Sequence, residues 1–127
     1  MILRHEMPTR LLADLLGRLG VALGAGIDVR RAWKLETDRL PARWRAAMER
    51  VGRALADGAS LSAALRMADG VFPALVCALV EVGDRTGHEP ETLRDLAATL
   101  AESDRSRRQL LASLVKPGLH RVALTLA

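Results

Sequence analysis

Leucine and alanine recur along this chain every three or four positions, the spacing that lines up one face of an α-helix. Leu11, Leu12, Leu15, Leu16, Leu19, Ala22 and Leu23 form the first such stripe, with Arg10, Asp14 and Arg18 opposite. Gly24, Ala25 and Gly26 end it, and Asp28 stands where a side chain caps the free amides of a second helix, from about Val29 to Asp38. Leu40 and Pro41 punctuate again before a third stripe of Trp44, Met48, Val51 and Leu55, closed by Asp57 and Gly58. Ser60 then caps a short fourth helix carrying Leu61, Ala64, Leu65 and Ala68, which stops at Asp69 and Gly70.

Pro73 opens a fifth helix in which nearly every residue from Ala74 to Val82 is apolar, so it is expected to be the most buried and the centre of the bundle. Gly83, Thr86 and Gly87 break it, and Glu89 and Glu91 suit the positive end of a sixth helix. That helix carries Leu93, Leu96, Ala97 and Leu100, then a charged patch from Glu102 to Arg108, then Leu110, Leu111, Leu114 and Val115. Continuous from Glu91 to Val115, it would span roughly 37 Å. The pattern predicts an all-α fold: a six-helix antiparallel-type bundle with a longer, projecting C-terminal helix. Its parts are an N-terminal segment (1–9), the helical domain (10–114) and a membrane-proximal end or truncated span (115–127).

Composition narrows the function. Aromatic residues make up 2% of the 127 positions (Trp33, Trp44, Phe72), which argues against a β-sandwich and against stacking platforms for single-stranded nucleic acid. The lone Cys77 excludes an internal disulfide and a cysteine-rich zinc site, fits a reducing compartment, and sits among apolar residues as a packed thiol does. His5, His88 and His120 share no helical spacing with it or with a carboxylate, so no catalytic set is expected. Glu89, Glu91 and Asp95 near His88 read as complements to a helix dipole, so neither metal nor cofactor is expected. No phosphate-cradling loop is present either.

The +4 net charge is concentrated. From Arg30 to Arg53 run Arg30, Arg31, Lys34, Arg39, Arg43, Arg45, Arg50 and Arg53, against Glu36, Asp38 and Glu49. Such a segment suits an acidic partner, an anionic membrane surface, a solvated helix face or the phosphates of a small nucleic-acid-binding bundle. Trp33, between Arg31 and Lys34, is a candidate interface anchor. Trp44 falls on the third apolar stripe and is expected in the core. Met1 to Arg10 lacks the apolar run of a secretory signal, so the domain is expected to stay unexported. No apolar stretch of about 18 residues is present, although the tail after Pro117 ends apolar, as if cut at a membrane span.

Four blocks in register resemble the type II secretion system F domain. The first runs from Leu15, Leu16, Leu19 and Gly20 through Leu23, Gly24, Ala25, Gly26 and Ile27 to Arg31 and Ala32. Leu55, Gly58, Ser60, Leu61, Ser62, Ala64 and Leu65 form the second. Phe72-Pro73-Ala74-Leu75 and the turn Gly83-Asp84-Arg85-Thr86-Gly87 complete the set. Asp84 and Thr86 stand where the family usually has Glu and Ser, which keeps a carboxylate and a hydroxyl at the turn, and Lys116 replaces an aromatic before Pro117.

The resemblance implies a non-enzymatic domain on the cytoplasmic side of a bacterial inner-membrane platform protein, for type II secretion or type IV pilus assembly. Members usually carry two copies of the domain around membrane helices. Implied partners are the assembly ATPase, other platform proteins and a second copy of the domain as a dimer, without nucleic acid; membrane attachment comes from segments outside this chain. Arg30, Arg31, Trp33 and Lys34 are the candidate partner contacts. Gly83, Asp84, Thr86 and Gly87 are expected to form a structural turn in which Asp84 or Thr86 bonds exposed helix-end amides.

Overall fold

The computed structural model describes residues 6–114, and within them the chain is helical with no strand. Helices α1 (Thr9–Gly24), α2 (Val29–Arg39), α3 (Arg45–Ala56), α4 (Leu61–Arg66), α5 (Ala74–Thr86) and α6 (Glu89–Ser113) follow in order, with a 3₁₀ turn over Ala42–Trp44 leading into α3. Each helix packs on the next, and α6 returns along α1, so the six close into a ring around one core. Two of the foreseen caps are present. Asp28 accepts the Arg30 amide at the start of α2, and Ser60 accepts the Ala63 amide at the start of α4.

The centre is α1, not α5. Leu12, Leu15, Leu16 and Leu19 on α1 are sealed from solvent, each contributing on the order of 2 kcal/mol through burial. They face α6, whose Leu93, Leu96 and Ala97 complete the seam. Met7 is also buried and donates its amide to the Val71 carbonyl (2.8 Å), tying the approach to α1 to the α4–α5 turn.

The prediction for α5 therefore requires correction. Val76, Cys77 and Val80 face inward, yet Leu75, Leu79 and Val82 on the other side are 69%, 40% and 56% exposed. A helix that is apolar all round is buried only if neighbours cover it all round. Here α4 and α6 cover one side, and the other is left open. The C-terminal helix does project: its last turns, from Arg105 to Leu114, are exposed along every face. It starts at Glu89, and Glu89 and Glu91 lie in its first turn as foreseen. Val115, like the whole tail 115–127, lies outside the described residues.

One polar contact joins α1 to α2. Glu36 is buried and accepts from Arg18 Nε at 2.9 and 3.1 Å, with Arg18 Nη2 also 2.8 Å from it. Arg18 falls on the polar face of α1 by periodicity, and its charge compensates a carboxylate that burial alone would disfavour.

Candidate protein-docking surface

Neighbouring helices joined by a short turn leave a furrow between them, and the furrow between α2 and α3 gathers four of the eight cations of the basic segment. It encloses about 590 Å³. Arg30 and Lys34 stand on its α2 side, Arg45 and Arg53 on its α3 side. Trp33, Thr37, Met48, Gly52 and Ala56 complete the lining, with Trp33 and Met48 sealed from solvent beneath it. Two carboxylates, Asp38 and Glu49, interrupt the cations. Arg30 bonds Asp28 (3.0 Å), which also holds the Asp28 carboxyl below its ordinary value of 3.8, so the helix cap stays charged. Lys34 lies 3.8 Å from Asp38. Neither Arg45 nor Arg53 has an ion-pair partner among the described residues.

The surface residues foreseen from sequence divide. Arg30, Arg31 and Lys34 are exposed, although Arg31 does not line the furrow. Trp33 is not an exposed anchor: it is 1% accessible, donates its indole N–H to the Met48 carbonyl (2.7 Å) and packs edge-on against Phe72 at 6.0 Å. Its neighbours Arg31 and Lys34 point outward because helical geometry turns each successive side chain by about 100°, so charged neighbours in sequence say nothing about where the indole points. Arg45 and Arg53 belong to the basic segment read from the sequence, whereas Thr37, Gly52 and Ala56 are lining residues that sequence reasoning missed. Arg45, Gly52 and Arg53 belong to α3, 12 to 20 positions from Trp33, and only the α2–α3 packing brings them beside it. Trp44 is buried as foreseen, with the Arg43 guanidinium 4.9 Å above its ring.

Gly52 lies in the middle of α3, and a Cβ there would meet only Trp33 Cδ1, at an ordinary 3.5 Å. Gly52→Ala is therefore expected to raise stability by about 0.5–1 kcal/mol, since it removes backbone entropy from the unfolded chain and clashes with nothing. Chemical denaturation of the two proteins measures it; a destabilised variant would mean that the furrow floor is tighter than described.

The turn from α5 into α6 is built as a structural joint. Asp84 Oδ2 accepts the Ser62 amide (2.9 Å) at the first turn of α4, the helix-end bond foreseen for this carboxylate. Thr86 does something else: its hydroxyl donates to the Val82 and Gly83 carbonyls of its own helix (2.9 and 3.4 Å), so it bonds no helix-end amide. Gly83 is where α5 and α6 touch, since a Cβ there would fall 2.7 Å from Thr92 Oγ1. Gly87 ends α5 with φ +74°, a left-handed backbone that other residues adopt only at a cost.

Asp84 Oδ1 is buried without a donor, and the Glu89 carboxyl faces Asp84. The hydrogen bond with Asp84, followed by burial and by repulsion from the same carboxylate, pushes Glu89 up to about 7 from its ordinary 4.5. When protonated, Glu89 can donate to Asp84, the bond that raises its pKa. A carboxyl whose pKa is higher in the folded state stabilises the fold fully below its ordinary value and loses that contribution as pH rises through about 7. Melting temperature is thus expected to fall by about 3 °C more between pH 5 and 8.5 in the wild type than in Glu89→Gln, whose amide donates at every pH. Identical pH profiles for the two proteins would remove the shared proton as the cause.

Cys77 is buried, its thiol directed at the Phe72 carbonyl and pushed up by burial, which makes it a packing residue and not a reactive one. Among the described residues, no three His, Cys, Asp or Glu side chains converge as metal ligands, and no helix is long and apolar enough to cross a membrane.

The family model for the type II secretion system (T2SS), protein F, matches residues 15–119. The chain belongs to this family. The match takes in α1 from Leu15 through α6, so the protein F domain includes the ring of helices, the α2–α3 furrow and the α5–α6 joint. Protein F domains belong to platform proteins of secretion and pilus machines, associated with the inner membrane. Comparison with curated proteins gives no match.

Proposed function

We propose that this chain is a cytoplasmic coupling domain of the platform, which grips the assembly ATPase and neighbouring platform subunits and passes their displacements on without making or breaking bonds. The observation that carries the reading is the basic α2–α3 furrow, a recessed surface lined by Arg30, Lys34, Arg45 and Arg53, whose charge suits a complementary protein surface. A close-packed ring of helices resists compression, so force applied at one helix is felt at the others. Self-association as a dimer draws on the open side of α5, where Leu75, Leu79 and Val82 present a charge-free stripe.

The test is retention of the hexameric assembly ATPase by the immobilised chain. Retention at moderate salt is expected. A motor that hydrolyses ATP normally yet passes through unretained would overturn the proposal. The competing reading, a nucleic-acid-binding bundle, requires DNA affinity that falls steeply with salt as the Arg30–Arg53 cations release counterions. Duplex DNA bound more tightly than the motor would favour it.

A further inference from the structure

We propose that two copies of this chain pair through the open face of α5, with the two α5 helices side by side and pointing the same way. This deepens the dimer of the platform reading, on which it rests, by fixing the orientation of the two copies.

Leu75, Leu79 and Val82 all stand open to solvent. Their steps of four and three residues, continued by the exposed Thr86, make a seam of the kind along which two helices pack. The two edges of this seam differ in charge. Each residue turns a helix by about 100°, so Glu81 and Gly83 lie on opposite flanks of the stripe. On the Glu81 edge, Arg66 of α4 and Arg85 share that one carboxylate, at 2.8 and 2.5 Å, which leaves a positive charge over. On the Gly83 edge stands α6, with Thr92 against Gly83. Asp95, the next turn of α6 on that side, is exposed and has no ion-pair partner among the described residues.

Unequal edges select both the occupant and its orientation. A second copy turned about a two-fold axis parallel to α5 lays its acidic edge over the basic edge of the first, and symmetry repeats the contact on the other side. Turned about an axis across α5, which would run the helices antiparallel, it sets guanidinium over guanidinium and carboxylate over carboxylate. An anionic lipid surface would be drawn by one edge and repelled by the other. In the parallel pair Leu75, Leu79 and Val82 each meet the same residue of the other copy, and water leaves a seam that is apolar on both sides. The 13 residues of α5 make that seam only about 20 Å long, short for a permanent dimer, so a Kd of about 10–500 µM is expected.

Sedimentation equilibrium of the chain up to about 1 mM measures the pairing. Leu79→Glu, in the middle of the seam, should weaken it by at least about tenfold. Asp95→Lys should weaken it by about tenfold, because symmetry counts the lost ion pair twice. Both positions are exposed, so the core is untouched, and circular dichroism confirms that each variant is folded. Cysteine crosslinking reads the orientation. With the buried Cys77 replaced (Cys77→Ala), Leu75→Cys, Leu79→Cys and Val82→Cys are oxidised one at a time. In the parallel pair each new thiol faces its own copy, so all three variants should form disulfide-linked dimers. In an antiparallel pair centred on Leu79, residue 75 would lie beside the far end of the other stripe, and only Leu79→Cys would crosslink.

A chain that stays monomeric at about 1 mM, a dimer crosslinked through residue 79 alone, or pairing indifferent to Asp95→Lys each overturns the proposal. So does a monomer that binds anionic vesicles and loses them with Leu79→Glu, which would make lipid the occupant. None of these measurements involves the ATPase. A monomer that still retains the motor sinks the pairing and spares the platform reading; a crosslinked dimer that lets a competent motor pass sinks the grip on the motor and spares the pairing.

Discussion

Trp33→Ala is expected to destabilise the protein by about 3–5 kcal/mol, the cost of emptying a large fully buried site. The indole is one of the largest side chains sealed in the core, and it joins three elements. It extends from α2, bonds the Met48 carbonyl of α3 and meets Phe72 in the segment before α5. Thr37 packs behind it, bonding the Trp33 carbonyl at 3.0 Å. Truncation removes the packing and the hydrogen bond together. Trp33→Phe restores most of the volume and loses mainly the hydrogen bond, so about 1–2 kcal/mol is expected there. Urea denaturation followed by circular dichroism gives both values. An interface tryptophan would show the reverse signature, with stability changed by less than about 0.5 kcal/mol on truncation; such a result would contradict the buried placement.

Gly20→Ala is expected to cost about 1–3 kcal/mol, although the same substitution at Gly52 is expected to stabilise. Both glycines lie inside helices, where alanine is intrinsically favoured by about 0.5–1 kcal/mol. The difference is what each would meet. A Cβ at residue 20 would stand 3.0 Å from the Pro90 carbonyl oxygen, 3.1 Å from the Arg94 amide nitrogen and 2.9 Å from Arg94 Cγ. Two of those atoms are backbone and cannot swing aside. The seam between α1 and α6 must open to admit the methyl group, and that seam seals the α1 leucines in the core. The pair of variants is best read side by side in one denaturation series. A stabilising effect at residue 20 would mean that α1 and α6 lie farther apart than described.

The two glycines also show where linear reading stops. Both fall within helical stripes, and nothing in the flanking residues distinguishes a glycine held against a facing backbone from one beside an open furrow. The same limit explains α5. Its apolar run identifies a helix correctly, but exposure is decided by how many neighbours arrive, and α4 and α6 arrive on one side only. Trp33 was misjudged for a related reason: its charged sequence neighbours point away from it.

Legibility was high where a residue acts on its own backbone surroundings. Asp28 and Ser60 cap the helices they precede, Gly87 turns the chain, and caps together with the three-and-four spacing of apolar residues mark the helices to within a few residues. Such features depend on local sterics and hydrogen bonds, which a dozen consecutive residues carry in full. Everything joining distant segments needed the folded chain: the Arg18–Glu36 ion pair, the bond from the Ser62 amide to Asp84, and the meeting of Arg45 and Arg53 with Trp33. Periodicity says which face of a helix is greasy, but not which other face it finds. That choice emerges when all six helices compete to bury their stripes at once, and closing the ring of α6 onto α1 settles it.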